Sequence, residues 1–529
     1  MKIVICFKLS LNPDRIIEKD YENFSLGADL AYAGSELGCF DASSLEYGLK
    51  LKEQAAVQGA EVSCTALTVS NALPKSFSEN LFAVGYDEVL SIPLENREFS
   101  PRSIAKLLAE EIKALGADLV LTGKEASLAE TGAVPYYLSA FLGVPLLEDA
   151  ESLVLEENTL KAILQRPTGT FKKEVMLPLV CSIGNSPEVL RYATLKARMK
   201  CRGKAAVSRP VPTVQSAEIG TFQKPKIGRN CKMLSADSQT LYKDVLHLLT
   251  QVEKTEQNQA ISEDSALKRA VTERSLYCKI SGSYEVESTA LQEVMKAHSA
   301  HSLYLFADTA AGRKAALQLA ESNAFPLFFG AEITALEENS VTVQKRVCAS
   351  NLEWQNVLPL PAILTLPEAD IKLYPFQHSI ELSANKKPDY IKAETFLAPA
   401  AQTNLSSAAL VVAAGAGMGT KENCDMAREL AKALKGAFGL TRPAALNAWG
   451  AQAEIIGQSG TLTSPNCCLV LGAAGAGAFA LGIEKAKTII AVNTDESALI
   501  FKNADYGILL DAKTFTERLL KTLREENAC

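Results

Sequence analysis

The chain has 529 residues, 47% of them hydrophobic and 22% charged, with a formal net charge of −7. At roughly 100–200 residues per domain this length predicts three or four domains, and the apolar fraction excludes wholesale disorder. The acidic balance argues against nucleic acid or an anionic membrane as partner, and no apolar run approaches the ~20 residues of a membrane span.

The first residues, Met1–Leu11, read as a strand running into the chain and not as a secretion signal, because no proper hydrophobic region or cleavage site follows. Residues 1–200 alternate between continuous apolar strands and amphipathic helices. Strands are expected at Lys2–Phe7, Val62–Val69, Glu88–Ile92 and Ala117–Leu121, and helices at Ser43–Ala56, Lys75–Val84, Pro101–Leu115 and Ala133–Leu142. That alternation predicts a parallel sheet covered on both faces. Short strands follow at Thr159–Arg166 and Glu174–Val180. Residues 203–270 are rich in Pro, Lys, Gln, Glu and Ser, as in Gln251–Ala266, and read as a connector with one helix at Leu241–Leu249. A second α/β unit begins at Ser302–Phe306. The third has strands at Ala409–Ala413, Cys467–Leu471, Thr488–Val492 and Gly507–Leu510, with helices at Asn423–Leu434 and Thr514–Leu523. The fold class is therefore α/β, with three doubly wound, Rossmann-like parallel-sheet units in series.

The twelve cysteines have no zinc-like spacing, and Cys6, Cys64, Cys181 and Cys467 lie in apolar runs, which favours a reducing, cytoplasmic setting. Only four histidines occur. His298 and His301 are expected as a surface pair on a helix, and histidine acid–base catalysis is not central to this chain. No Ser-His-Asp, Cys-His or paired-carboxylate arrangement is visible, so no catalytic residue and no metal ligand is assigned. The chemistry-bearing signals are two glycine loops leaving strands, Gly415-Ala416-Gly417-Met418-Gly419 and Gly472-Ala473-Ala474-Gly475-Ala476-Gly477, with Ile456–Gly460 between them. Such loops either bring backbone N–H groups to a phosphate or let strand and helix pack tightly. Asp41 reads as a charge complementing a helix N-terminus. The run Arg191, Lys196, Arg198, Lys200, Arg202 and Lys204 is either a docking surface or a solvated loop.

At Leu190-Arg191-Tyr192-Ala193-Thr194-Leu195 the sequence resembles the recognition loop of the electron transfer flavoprotein β subunit. Met1–Lys8, Phe40-Asp41, Leu45-Glu46, Leu49–Glu53 and Asp118–Lys124 with Thr131-Gly132 are similar to the same subunit in order. Glu422-Asn423, Gly439–Arg442, Ile456–Gly460, Gly472–Gly475, Ala491–Asn493 and Ala504–Gly507 are similar to the α subunit, and residues 302–366, with Lys345-Arg346 before Ser350-Asn351, resemble its first domain. The resemblance implies a β–α fusion divided into residues 1–205, a connector at 206–290, a shortened domain at 291–400 and an FAD-binding domain at 401–529.

It further implies an electron carrier, without substrate chemistry of its own, holding one FAD in the last domain. The resemblance assigns Thr441, Arg442, Ile456, Gly457, Gln458 and Ser459 to the flavin end. Ala474, Gly475, Ala476 and Gly477 fall on the phosphate loop, and Asn493 and Asp511 on the adenosine end. Leu195 is the apolar anchor for a flavoprotein dehydrogenase of the acyl-CoA dehydrogenase type, from which electrons pass to a downstream acceptor. Where the family has a glycine-loop arginine this chain has Ala416, and its Gln-His pair falls on Ala478-Phe479, which should lower the flavin potential. In the N-terminal half the family's nucleotide loop reads Leu128–Pro135, with Glu125 for the family's Gln. Acidic Glu125 or Glu130 would repel phosphate, which argues against AMP or a second FAD there. The alternatives are a degenerate member acting as a non-redox scaffold or nucleotide-binding partner, and a bifurcating carrier with a second flavin.

Overall fold

In the computed structural model, the continuous Ile, Val and Leu runs form parallel strands buried on both faces. The structure describes all residues except 23, 25–29, 71–72, 95–99, 127–128, 167–168, 211–219, 225–228, 239, 251–264, 283, 349–350, 400–403, 459 and 529. It divides into two compact units. The first contains residues 1–224, 262–347 and 352–398, and the second contains 225–261, 348–351 and 399–529.

The N-terminal part carries strands β1 (Lys2–Cys6), β2 (Ser63–Val69), β3 (Glu88–Ile92), β4 (Leu119–Gly123), β5 (Leu146–Glu156), β6 (Thr159–Arg166), β7 (Gly169–Met176) and β8 (Leu179–Ile183). Its helices are α1 (Cys39–Val57), α2 (Lys75–Val84), α3 (Pro101–Leu115) and α4 (Val134–Leu142), followed by the short α5 (Leu195–Lys200). Helix α3 begins at an N-cap Ser100 and ends at Gly116 in the left-handed region, the local chemistry that starts and stops helices. The expected strand Glu174–Val180 is two strands. Pro178 has no N–H to give to a ladder, so β7 ends at Met176 and β8 starts beyond it, parallel to β4 and β5.

Short strands β9 (Val207–Ser208) and β10 (Thr221–Gln223) follow. The stretch read as a connector then supplies β11 (Lys232–Leu234) and α6 (Leu241–Thr250), both in the second unit, and α7 (Ser265–Arg274), in the first. Most of Gln251–Ala266 lies outside the described residues.

The middle of the chain forms β12 (Ser275–Gly282), α8 (Ser288–Ala297), β13 (Leu303–Ala307), α9 (Ala310–Asn323), β14 (Leu327–Phe328), β15 (Glu332–Leu336), β16 (Ser340–Val347), β17 (Leu352–Pro359), β18 (Ala362–Leu366), β19 (Ser379–Ala384) and β20 (Ile391–Pro399). Strands β14-β18-β13-β12-β19 make a parallel sheet, and β10-β17-β16-β15 an antiparallel one. Strand β20 returns to the N-terminal sheet, whose order is β9-β3-β2-β1-β4-β8-β5-β6-β7-β20. Helix α9 packs on α4 and so joins the middle of the chain to the N-terminal part.

The C-terminal part has β21 (Leu410–Ala414), α10 (Lys421–Ala433), β22 (Ala437–Leu440), β23 (Cys467–Leu471), β24 (Thr488–Asn493), β25 (Tyr506–Leu509) and α11 (Ala512–Ala528). Its six strands are all parallel, in the order β11-β25-β24-β23-β21-β22. Helix α6 packs on α11, burying Leu241, Val245, Leu246 and Leu249 in a core with Phe515 and Leu519.

Candidate cofactor site and docking tip

In the C-terminal sheet the chain leaves β21 for β22 on one side, then crosses to β23 on the other. The direction reverses at β21, and the carboxyl ends of strands flanking such a switch are where open α/β sheets collect ligands. The assigned residues arrive there because each follows a strand. Thr441 and Arg442 follow β22, Ala474–Gly477 follow β23, Asn493 closes β24 and Asp511 lies just past β25. Ile456 donates its N–H to Leu440 O at 2.9 Å, and Gln458 donates to Ala478 O at 2.8 Å, so the 456–458 segment is stitched between the ends of β22 and β23. Ser459 lies outside the described residues.

The individual roles are uneven. Thr441 is buried and its Oγ1 has no hydrogen-bond partner, while Arg442 is half-buried at the first turn of a short helix. An uncompensated buried hydroxyl is costly unless something outside the chain satisfies it. Asn493 already uses its side chain: Nδ2 donates to Ala473 O at 2.9 Å and Oδ1 accepts from Asp495 N–H at 3.0 Å. Asp511 caps α11, accepting from the N–H of Thr514 at 2.8 Å and from its Oγ1 at 2.7 Å, and those bonds hold its carboxyl below the usual range. The glycines serve close packing. Gly415 and Gly417 donate to Leu471 O and Gly472 O, both at 2.8 Å. A side chain on Gly475, at φ +86°, would overlap the backbone of Ile500.

A second candidate feature is the turn ending in α5. Tyr192, Leu195 and Met199 are 89%, 76% and 69% exposed, an apolar cluster that water alone does not explain. Its base is fixed. Arg191 donates through Nε and Nη2 to Glu46 Oε1 at 2.9 and 2.6 Å and also pairs with Glu53, with Glu46 itself buried. The Glu46 and Glu53 carboxylates raise the Arg191 guanidinium further above its ordinary value. Arg191 is therefore an anchor beneath the tip and Glu46 its buried partner, a pairing invisible in a sequence where the two are 145 positions apart. Thr194 caps α5 by accepting from Ala197 N–H at 3.2 Å.

Comparison with known proteins matches residues 30–212 to the family model described as electron transfer flavoprotein domain, and residues 404–484 to the electron transfer flavoprotein FAD-binding domain. The chain carries both domains of an electron transfer flavoprotein. It is also similar to several proteins named FixB. That of Clostridium saccharobutylicum is 38% identical over 122 residues, covering 23% of this chain and 36% of that protein. That of Azorhizobium caulinodans is 39% identical over 125 residues, 24% and 33% of the two chains. The FixB of Escherichia coli is 27% identical over 242 residues, 44% and 77%. The chain thus spans about a third of the length of the first two relatives.

Of the positions departing from the family pattern, one is packed inside and one is at the surface. Phe479 is buried among Ile456, Ala473, Ile483 and Phe501 and offers no hydrogen-bond donor, and Ala416 is exposed on its loop. In the N-terminal domain, the loop that stands where the family has its nucleotide loop is engaged from outside its own segment. Arg313 of α9 donates through Nη1 to Thr131 O and Gly132 O at 3.3 and 3.4 Å, and forms a two-pronged pair with Asp308 at 2.7 Å on each arm. Leu128 of this loop, and Ser350 in the middle of the chain, lie outside the described residues. His298 ends α8 instead of lying within it, and the His301 ring lies tilted by 57° with its centroid 4.8 Å from that of His378. Among the described residues no group of three side chains could hold a metal ion, the cysteines are free, and no helix is long and apolar enough to cross a membrane.

Proposed function

We propose that the chain is an electron carrier with one FAD at the carboxyl ends of β21–β25, loaded by a flavoprotein dehydrogenase of the acyl-CoA dehydrogenase type that docks at the Leu195 tip. A downstream acceptor takes the electrons, and the chain performs no substrate chemistry of its own. The observation that carries this reading is the buried, unpartnered Thr441 hydroxyl beside Arg442 at a topological switch, inside the segment that matches an FAD-binding domain. FAD, when bound, supplies reversible one- and two-electron exchange. Thr441 Oγ1 would donate to or accept from it, Arg442 would supply a fixed cation, and Gln458 would lie toward the ring. The backbone of Ala474–Gly477 would face the phosphates. Asn493 and Asp511 would act at the adenosine end mainly by holding their loops, since their side chains are already engaged.

Flavin extraction and counting tests the proposal. It requires one FAD per chain, no second flavin and no AMP, with weaker FAD retention in Thr441→Val at unchanged helix content. Colourless protein that FAD cannot reconstitute would sink it. Such protein would instead favour the scaffold reading, which rests on the departures at Ala416 and Phe479. Two flavins per chain would point to a bifurcating carrier.

A further inference from the structure

Three of the four histidines, His298, His301 and His378, come together in the first unit. His301 lies two residues before β13 and His378 immediately before β19. Both therefore stand at the amino ends of strands that flank β12 in one parallel sheet. This is the edge away from the carboxyl ends at which open α/β sheets collect nucleotides.

Strands two apart in a sheet are roughly 9–10 Å from each other. The two imidazole rings nevertheless converge over the start of β12 until their centroids are 4.8 Å apart, with planes tilted by 57°. Rings at that tilt are not stacked on one another. Ligand bonds of about 2.0–2.1 Å put two imidazoles on one tetrahedral ion with centroids about 5 Å apart, so the separation already suits a shared ion. His298 stands farther off, its ring centroid 5.9 Å from that of His301.

The His301 ring donates to the Arg274 backbone carbonyl. Its other nitrogen then keeps a lone pair, and a carbonyl on the far nitrogen is the usual orienting partner of a metal-bound histidine. Burial, with His378 and His298 close by, lowers this imidazole below its ordinary value, so it is neutral and able to ligate at neutral pH. The Arg274 guanidinium is occupied with the carbonyls of Glu337 and Glu338, at 2.6 and 2.8 Å. No carboxylate is among the groups acting on His301, which selects ions that favour imidazole over those that favour oxygen. His378 is exposed, so an ion can reach the pair from solvent.

We propose that His301 and His378 together bind one divalent ion of the late transition series, such as Zn2+, with water completing its coordination. Two side chains ligate, not three, and the ion ties the segment entering the edge strand β19 to the segment entering β13. The test is calorimetric titration of the FAD-saturated full chain, carrying no histidine tag, with Zn2+ and separately with Mg2+. Accessible thiols are blocked beforehand, because the partly exposed Cys39, Cys201 and Cys231 are free and could take up zinc themselves. Zn2+ should fill one site per chain about a hundredfold or more tighter than Mg2+. His378→Gln, at an exposed position, should weaken Zn2+ about tenfold or more. His301→Gln, whose amide can still donate to the Arg274 carbonyl, should do the same, and either variant carries the test if the other does not fold. His247→Gln, on α6 in the other unit, should leave the affinity unchanged. Zn2+ bound no more tightly than Mg2+, or Zn2+ affinity that a folded His378→Gln or His301→Gln leaves unchanged, would overturn the proposal.

Discussion

Two aspartates of the first unit, Asp41 buried and Asp308 half-buried, are driven in opposite directions by their surroundings. Burial raises Asp41 to about 7. Burial would raise Asp308 too, but the Arg313 guanidinium, with Lys345 and Thr365, overrides it and holds the carboxyl at about 2. The linkage signs therefore differ. Asp41 binds its proton more tightly folded than unfolded, so its contribution to stability declines as pH rises from about 4 to 7 and is then constant. Urea denaturation should show Asp41→Asn gaining on the parent across that window, by on the order of a few kcal/mol. Asp308 contributes stability above its unfolded value, which is lost as pH falls from about 4 to 2. Arg313→Met, which strands the carboxylate, should cost about 3–5 kcal/mol at neutral pH in the same measurement.

Among the elements, the strand-end loops and the α5 tip answer different demands. At Gly475 both a positive φ and the neighbouring backbone of Ile500 exclude a side chain. Gly475→Ala should lose about 1–3 kcal/mol from the backbone conformation alone and lower the melting temperature together with FAD retention. Packing and phosphate binding are the two uses the sequence offers these loops; the contacts of Gly415, Gly417 and Gly475 show the first, and FAD retention tests the second. At the tip Leu195 and Tyr192 are largely exposed, so substitution there should leave melting unchanged. Leu195→Ala should instead raise the KM for a donor dehydrogenase about tenfold or more, as expected for an apolar interface anchor, measured by stopped-flow reduction of the bound flavin.

At the level of the whole chain, the second unit is discontinuous in sequence. Helix α6 contributes Leu241, Val245, Leu246 and Leu249 to the core beneath α11, each worth about 1.5–3 kcal/mol on burial. A chain beginning at residue 401, where the sequence suggests a boundary, lacks α6 and β11. It should bind the dye ANS and lose near-ultraviolet circular dichroism, whereas the full chain should not.

The sequence by itself determined the parallel strands, most helix limits and the α/β class, because apolar period, caps and prolines act over a few residues. It placed Ala474–Gly477 after a strand, but the four-residue β22 ahead of Thr441 and Arg442 is too short to stand out as an apolar run and appears only in the structure. Tertiary structure alone decided the rest. It assigned α6 to the distant α11, paired Arg191 with Glu46, filled the side-chain bonds of Asn493 and Asp511, and buried Asp41 Oδ2 and Thr122 Oγ1 without a hydrogen-bond partner. Asp41 reads as a helix-terminus charge from its neighbours in sequence. Its burial comes from β1 and β4, and desolvation depends on everything packed around a group, which no local pattern encodes.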